Sequence, residues 1–285
     1  MGKSNSKSPV LVEPWRTINW DVTQDDLSFL NHYKPQLEDQ KIRILLYGPA
    51  GAGKSSFINS VQSVLHGRPY GQALVDNTGH DCFTKEYTTH KIQKADGSFY
   101  PFIFNDIMGL SKYKGVLEED VGLALKGHVK EGYKFNPETP LCEDNQFYNP
   151  SPSPNDKVQV LVCVIPADKI SIMDDEVLQK IRRIRVEASK LNIAQVTILT
   201  KIDELFTEIQ ADVKNVYRIL EIKEKMQRVH AYVGIPLNCM FPVKNYHEEI
   251  NMNTHVDALI LCAMRHMIQY GDDFIKFSQN RFESH

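Results

Sequence analysis

Gly48-Pro49-Ala50-Gly51-Ala52-Gly53-Lys54-Ser55 is a full match to the pattern G-x-x-x-x-G-K-[ST], and its flanks decide how it is read. Four apolar residues, Ile42, Ile44, Leu45 and Leu46, lead into it as a short buried strand, and Ser56-Phe57-Ile58-Asn59-Ser60-Val61 leaves it as a helix. Strand, glycine-rich loop and helix in that order make a phosphate cradle. The glycines let the backbone wrap a phosphate with its N–H groups turned inward, and the first turn of the helix adds unpaired donors and a partial positive charge. Lys54 is placed to neutralise β- and γ-phosphates, and the Ser55 hydroxyl to hold Mg²⁺. Gly48 through Ser55, with Ser56 beside them, are the candidate phosphate-binding set.

The 285 residues, 42% hydrophobic, suffice for one large core. The expected organisation is a tail and lead-in over residues 1–40 and a main domain over 41–280, with an exposed Pro-rich insertion at about 136–156. Lys and Arg number 33 against 36 Asp and Glu, a net charge of −3, so no basic field steers the chain to nucleic acid. The five cysteines, Cys82, Cys142, Cys163, Cys239 and Cys262, are odd in number and form no CxxC pair, which fits a reducing compartment. No apolar run is long enough to cross a bilayer. The expected location is the cytoplasm, or the cytosolic surface of a membrane. Met1-Gly2-Lys3-Ser4-Asn5-Ser6-Lys7 satisfies M-G-x-x-x-[ST], which makes Gly2 a candidate for N-myristoylation. One such chain with only Lys3 and Lys7 nearby gives weak, reversible peripheral attachment.

Strand and helix patterns alternate along the chain. Residues 23–31 read as a short helix packing on the domain, and 84–93 and 99–105 as strands joined by a turn at Asp96-Gly97. After a long segment ending in crowded prolines, 158–165 and 196–200 are continuous apolar runs, as in central strands covered on both faces. Helices are expected over 172–191 and 206–232, a last strand over 237–243, and a closing helix with Val256, Leu259, Ile260, Ala263, Met264, Met267 and Ile268 on one stripe. This is an α/β chain, a doubly wound, mostly parallel sheet with helices on both faces.

Two further elements concern the nucleotide. Asp106-Ile107-Met108-Gly109 follows the apolar strand Phe102-Ile103-Phe104. Asp106 can hold the Mg²⁺ shell through water, and the Gly109 N–H can meet a γ-phosphate. Thr200-Lys201-Ile202-Asp203 ends another buried strand. The Asp203 carboxylate can accept both the N1–H and the N2 amino group of guanine, donors that adenine lacks on that edge, and Lys201 can lie along the base plane. The implied ligands are GTP or GDP with Mg²⁺.

These residues resemble a known family. The order GPAGAGKSSFINSV, PFIFNDIMGL, ILTKID looks like a P-loop G domain of the TRAFAC type. More closely it is similar to the interferon-induced protein 44 family, through HVKEGYKFNP (128–137), GIPLNCMFPVKNY (234–246) and LILCAMRHMIQYGDDFI (259–275). The likeness covers residues 40–277 and implies a cytoplasmic, interferon-responsive, guanine-nucleotide-binding protein of innate immunity. Longer family members carry an additional N-terminal domain.

Small Ras-like GTPases have Gly at the third loop position and a water-orienting Gln just after D-x-x-G; here those positions are Ala50 and Leu110. An apolar Leu110 neither orients nor deprotonates water, so hydrolysis is expected to be slow unless another group or a second protomer completes the site. Arg68 and His80 are candidates for that group, and a homodimer is a candidate assembly. The switch threonine, a further Mg²⁺ ligand, is Thr78 or Thr84, with Thr78 preferred for its Gly-flanked loop. Val243-Lys244-Asn245 is the expected base-capping loop. Lys180, Arg182, Arg183, Arg185 and Lys190 read as a solvated helix face, and the histidines show no zinc spacing. Two functions follow: a GTPase, or a nucleotide-loaded interaction scaffold with negligible hydrolysis.

Overall fold

The computed structural model describes residues 9–21, 23–35, 37, 39–71 and 85–283. Six strands form one sheet in the order β2-β3-β1-β4-β5-β6. These are β1 (Ile42–Tyr47), β2 (Thr88–Gln93), β3 (Phe99–Asp106), β4 (Val160–Pro166), β5 (Ala194–Thr200) and β6 (Met240–Pro242). All neighbours run parallel except β2, which pairs antiparallel with β3. The β2–β3 connection is the hairpin expected at Asp96-Gly97: Gly97 sits at φ 85, and the Ser98 N–H bonds the Asp96 carboxylate at 2.9 Å. Every residue of β4 is buried, because both faces of this central strand are covered.

The helices are α1 (Thr23–His32), α2 (Lys54–His66), α3 (Glu118–Lys126), α4 (Asp175–Lys190), α5 (Thr207–Ala211), α6 (Leu220–Val233) and α7 (Thr254–Glu283). Strand order reverses at β1, since the chain goes from β1 to β3 and then back across to β4. Right-handed crossovers therefore place α2 on one face and α3, α4 and α6 on the other. The stripe of α7 from Val256 to Ile268 is buried against β1, β4, β5 and α2, as its spacing predicts.

Three segments differ from the sequence expectation. The helix read over 206–232 is broken into α5, a 3-10 turn (Val213–Tyr217) and α6. Asp212 caps that turn through the Lys214 N–H at 3.0 Å. The carbonyls of Tyr217, Arg218 and Ile219 accept from the lead-in instead: from the Trp15 N–H at 2.9 Å, the Leu11 N–H at 2.8 Å and Trp15 Nε1 at 3.2 Å. The last strand shrinks to Met240–Pro242, with the Leu237 and Met240 carbonyls accepting from the Arg16 guanidinium.

The segment between β3 and β4 contains α3, which the sequence reading passed over. Asp120 on that helix is fully buried and accepts the Leu141 N–H at 2.7 Å and the Tyr133 hydroxyl at 3.2 Å. Most side chains of 136–156 are turned outward, but this carboxylate ties Leu141 into the core.

The lead-in is part of the packed body. Helix α1 lies on α7, with Arg265 paired to Asp26 at 2.6 Å and the Tyr33 hydroxyl donating to Asp272 at 3.0 Å.

Candidate nucleotide site

The carboxyl ends of β1, β3, β4 and β5 converge on the loop between β1 and α2. Gly48 leaves β1 at φ 147, and a Cβ there would lie 2.1 Å from the Val164 carbonyl oxygen of β4, so only glycine lets the loop start this close to the sheet. Gly53 then turns left-handed into α2, whose first residues are Lys54 and Ser55. The first N–H groups of a helix have no partner within the helix itself, so this end brings backbone donors beside the loop. Lys54 is buried at its mouth.

Ser55 Oγ donates to Asp106 Oδ2 at 2.5 Å, and Asp106 is only 2% exposed at the end of β3. A hydroxyl and a carboxylate oxygen side by side are a hard-oxygen donor set that fits Mg²⁺, an ion that takes one or two protein oxygens and completes its shell with phosphate and water. Among the described residues no cluster of three His, Cys, Asp or Glu side chains forms a self-sufficient metal site.

The D-x-x-G segment lies directly on the phosphate loop. The Leu110 N–H bonds the Gly48 carbonyl at 2.9 Å, and the Ala50 N–H bonds the Leu110 carbonyl at 3.1 Å. A Cβ on Gly109 would sit 2.6 Å from Ala50 Cα, which explains glycine at that position. The Leu110 side chain is 1% exposed and belongs to the core. The segment continues into contacts with α4: Lys180 Nζ donates to the Ser111 carbonyl at 2.9 Å, and Lys112 pairs with Asp174 at 3.3 Å.

On the base side, Thr200 Oγ1 donates to the Ala52 carbonyl at 2.6 Å, and Lys201 adopts a left-handed φ of 57 as the chain leaves β5. Lys201 pairs with Glu204 at 3.5 Å. Asp203 lies 4.0 Å from Lys244, which pairs more closely with Glu249, at 2.8 Å. Burial alone would raise the Glu249 carboxyl, but the His247 N–H and the Lys244 ammonium outweigh it and hold the group down at about 2. Asn245 Nδ2 donates to the Gly53 carbonyl at 3.2 Å, and the Tyr246 N–H to Ser60 Oγ at 2.9 Å, stitching the loop after β6 to the phosphate loop and α2.

Thus the structure gathers Gly48 through Ser56, Asp106, Gly109, Thr200, Lys201, Asp203, Lys244 and Asn245 around one end of the sheet. Thr78, Thr84, His80 and Gly2 lie outside the described residues. Arg68 lies beyond the far end of the 13-residue α2, and at about 1.5 Å of rise per residue it stands roughly 20 Å along the axis from Lys54. Its guanidinium stacks on Tyr70 instead. The face of α4 also differs from a purely solvated one: Arg183 is forked onto Glu118 at 2.7 and 2.9 Å, and Arg185 donates to the Gly234 carbonyl at 3.1 Å. Sequence reading missed Ser60, whose only signal is a small polar residue on the buried side of α2.

The sheet order, the glycine-rich loop and the polar groups at its rim define an α/β protein of P-loop NTPase type. No model of a known protein family matches the chain. It is 36% identical over 253 residues to interferon-induced protein 44 of Homo sapiens and of Pan troglodytes, in each case covering 88% of this chain and 57% of the relative. It is 32% identical over 256 residues to interferon-induced protein 44-like of Homo sapiens, covering 88% of this chain and 56% of that protein. The chain is a homologue of the interferon-induced protein 44 family across that shared region, and spans a little over half the length of those relatives. Among solved structures, a dimerization-deficient mutant of Toc33 from Arabidopsis thaliana shares the fold, with a TM-score of 0.51 at 15% identity over 88% of this chain and 92% of that one.

Proposed function

We propose that this chain binds GTP and GDP with Mg²⁺ as a protein of innate immunity, hydrolysing GTP slowly or on self-association. The observation that carries this reading is the meeting, at one sheet end, of the phosphate loop, the Ser55–Asp106 pair and the loop bearing Asp203. In the reading, Lys54 and the N–H groups of the loop neutralise the phosphates. Ser55 and Asp106 would hold Mg²⁺, which when bound would supply charge neutralisation to the phosphates. Asp203 accepts the two donors on the edge of guanine, with Lys201 along the base plane and Lys244 closing over it. Thr78 completes the metal shell. The innate-immune setting rests on the interferon-induced relatives.

A nucleotide-loaded scaffold without significant hydrolysis is the second reading. It is favoured by the apolar Leu110, which is turned into the core where a water-orienting side chain would be needed. Hydrolysis measured over a concentration series separates the two: a rate per molecule that rises with concentration supports a self-activating homodimer, and a flat, negligible rate supports the scaffold.

No helix among the described residues is long and apolar enough to cross a membrane. In this proposal the protein is cytoplasmic, with myristoyl-Gly2 giving a weak peripheral attachment. An N-terminal peptide without the myristoyl mass increment, from protein made in a eukaryotic cell, refutes that part.

Base choice is tested directly with Asp203→Ala. The variant is expected to lose about 2 kcal/mol of GDP affinity, as when a hydrogen bond to a charged group is removed. Equal affinity of the parent for ATP and GTP sinks the guanine assignment.

A further inference from the structure

The last two carbonyls of the phosphate loop before Lys54 are each held from outside the loop. Thr200 Oγ1, buried at the end of β5, donates to the Ala52 carbonyl at 2.6 Å. Asn245 Nδ2, from the loop after β6, donates to the Gly53 carbonyl at 3.2 Å. That second oxygen also takes the Phe57 N–H at 2.9 Å, so it is fixed from two directions. A carbonyl and the N–H that follows it share one rigid, planar, trans peptide group and point opposite ways. Holding the Ala52 oxygen therefore aims the Gly53 N–H, and holding the Gly53 oxygen aims the Lys54 N–H, both away from the holding side chains.

From this geometry we infer that Asn245 is a positioning residue for phosphate: with Thr200 it forms a two-point clamp that sets the Gly53 and Lys54 N–H groups before a nucleotide arrives. This deepens the proposed nucleotide binding, and it reassigns Asn245 from the base cap to the phosphate loop.

The orientation of the amide follows from chemistry. With Nδ2 on the Gly53 oxygen, Asn245 Oδ1 is buried and has no hydrogen-bond partner among the described residues. Turned over, the amide would set two acceptors against each other. The donor contact therefore fixes the side chain. The loop that carries it is rigid as well, because the Tyr246 N–H bonds Ser60 Oγ at 2.9 Å and that hydroxyl donates to the Ser56 carbonyl at 2.8 Å. The approach is close: a Cβ on Gly53 would lie 3.0 Å from Asn245 Nδ2. Base loop and phosphate loop are thus one mechanical unit, although they lie 192 residues apart in the chain.

The test uses the full chain, titrated with GDP–Mg²⁺ and, separately, with guanosine, which carries the base and no phosphate. Asn245→Ala is expected to bind GDP about tenfold more weakly, the worth of one hydrogen bond at a charged ligand site. Asn245→Asp, which sets a carboxylate against the Gly53 carbonyl, is expected to lose more. Thr200→Val, similar in shape but without the hydroxyl, reproduces the loss from the other jaw, and Thr200→Ser preserves affinity. Guanosine affinity stays unchanged throughout. Equal losses for GDP and guanosine, or no loss of GDP binding in either jaw, overturn the clamp.

If the parent prefers ADP, the guanine reading fails while the clamp is tested unchanged with ADP and adenosine. For a parent that takes no nucleotide, the readout is the Lys54 amide resonance of the ligand-free chain. A shift in Asn245→Ala supports the clamp, and an unmoved Lys54 resonance overturns it.

Discussion

The Ala50 N–H donates to the Leu110 carbonyl at 3.1 Å, while the Leu110 N–H returns a bond to the Gly48 carbonyl at 2.9 Å. The parallel β1–β3 pairing is thereby carried past the strand ends into the phosphate loop and the D-x-x-G segment. An N–H engaged in this way is not available to a third phosphate until the Leu110 carbonyl moves. A triphosphate that draws on the Ala50 N–H must therefore displace the Leu110 segment, and with it the Ser111 and Lys112 contacts to α4.

Restoring a polar side chain after D-x-x-G does not, by this geometry, restore hydrolysis. Leu110 is 1% exposed and packs in the core, so Leu110→Gln buries an amide where an aliphatic group sits. The expected cost is on the order of 2 kcal/mol, from lost apolar burial and an unsatisfied amide. Chemical denaturation reads that loss, and GTP turnover is expected to stay at the parent rate. A stable variant with accelerated turnover would show that the side chain faces the phosphate site.

Metal dependence isolates the Ser55–Asp106 pair. On the proposed reading the parent is expected to lose GDP affinity about tenfold or more when Mg²⁺ is chelated, because the phosphates then lose the cation these two oxygens would hold. Ser55→Asn removes the hydroxyl that lies 2.5 Å from Asp106, so its affinity is expected to be low already and insensitive to chelator. A variant that still gains affinity with Mg²⁺ places the metal elsewhere.

How much of this was legible in the sequence depends on where each residue finds its partners. The phosphate loop, its strand and its helix are contiguous, so glycine placement and apolar spacing sufficed to read them. The stripe of α7 was legible for the same reason, since 3.6-residue periodicity is a local property. The break in the 206–232 helix was not, because the donors that take the 217–219 carbonyls come from Leu11 and Trp15, about two hundred residues earlier. Helix α3 was obscured by the glycine at Gly122 and by the prolines that follow, while its buried Asp120 looks like any surface carboxylate until Leu141 folds over it. Lys201 and Asp203 could be named as candidates from their motif, and Lys244 only from its place after the last strand, but the clamp of Thr200 and Asn245 on successive carbonyls is a property of the tertiary structure alone.

Glu249 gives the base loop a dependence on acid. Its folded pKa, about 2, lies below the ordinary carboxylate value of 4.5, because the His247 N–H and the Lys244 ammonium favour the charged form by more than burial disfavours it. A depressed carboxylate contributes stability that is present in full above the unfolded pKa and is lost as pH falls toward the folded one. The window is therefore from about 4.5 down to about 2. The carboxylate is partly open to solvent, so screening limits its worth at neutral pH to about 1 kcal/mol or less. Glu249→Gln is expected to melt below the parent at pH 7, with the gap narrowing as pH drops from 5 to 3. A gap that widens on acidification contradicts the assigned sign.

Arg16 tests whether the lead-in is structural. Its guanidinium donates to the Leu237 carbonyl at 2.5 Å and the Met240 carbonyl at 2.6 Å, and it stacks on Trp15 and Tyr217. Two charge-assisted bonds at the start of β6, each worth about 1.5–3 kcal/mol when the charged partner is removed, make Arg16→Ala a strongly destabilising change. Arg16→Lys keeps the charge but has no planar fork to reach both carbonyls, and is expected to recover only part of the loss. Because β6 leads directly into the loop carrying Lys244 and Asn245, the damage is also expected to reach GDP affinity under conditions where the variant is still folded. Urea unfolding and GDP titration of the same preparations separate the two effects. An Arg16→Ala variant with unchanged unfolding midpoint would reduce residues 9–40 to a decoration on the sheet.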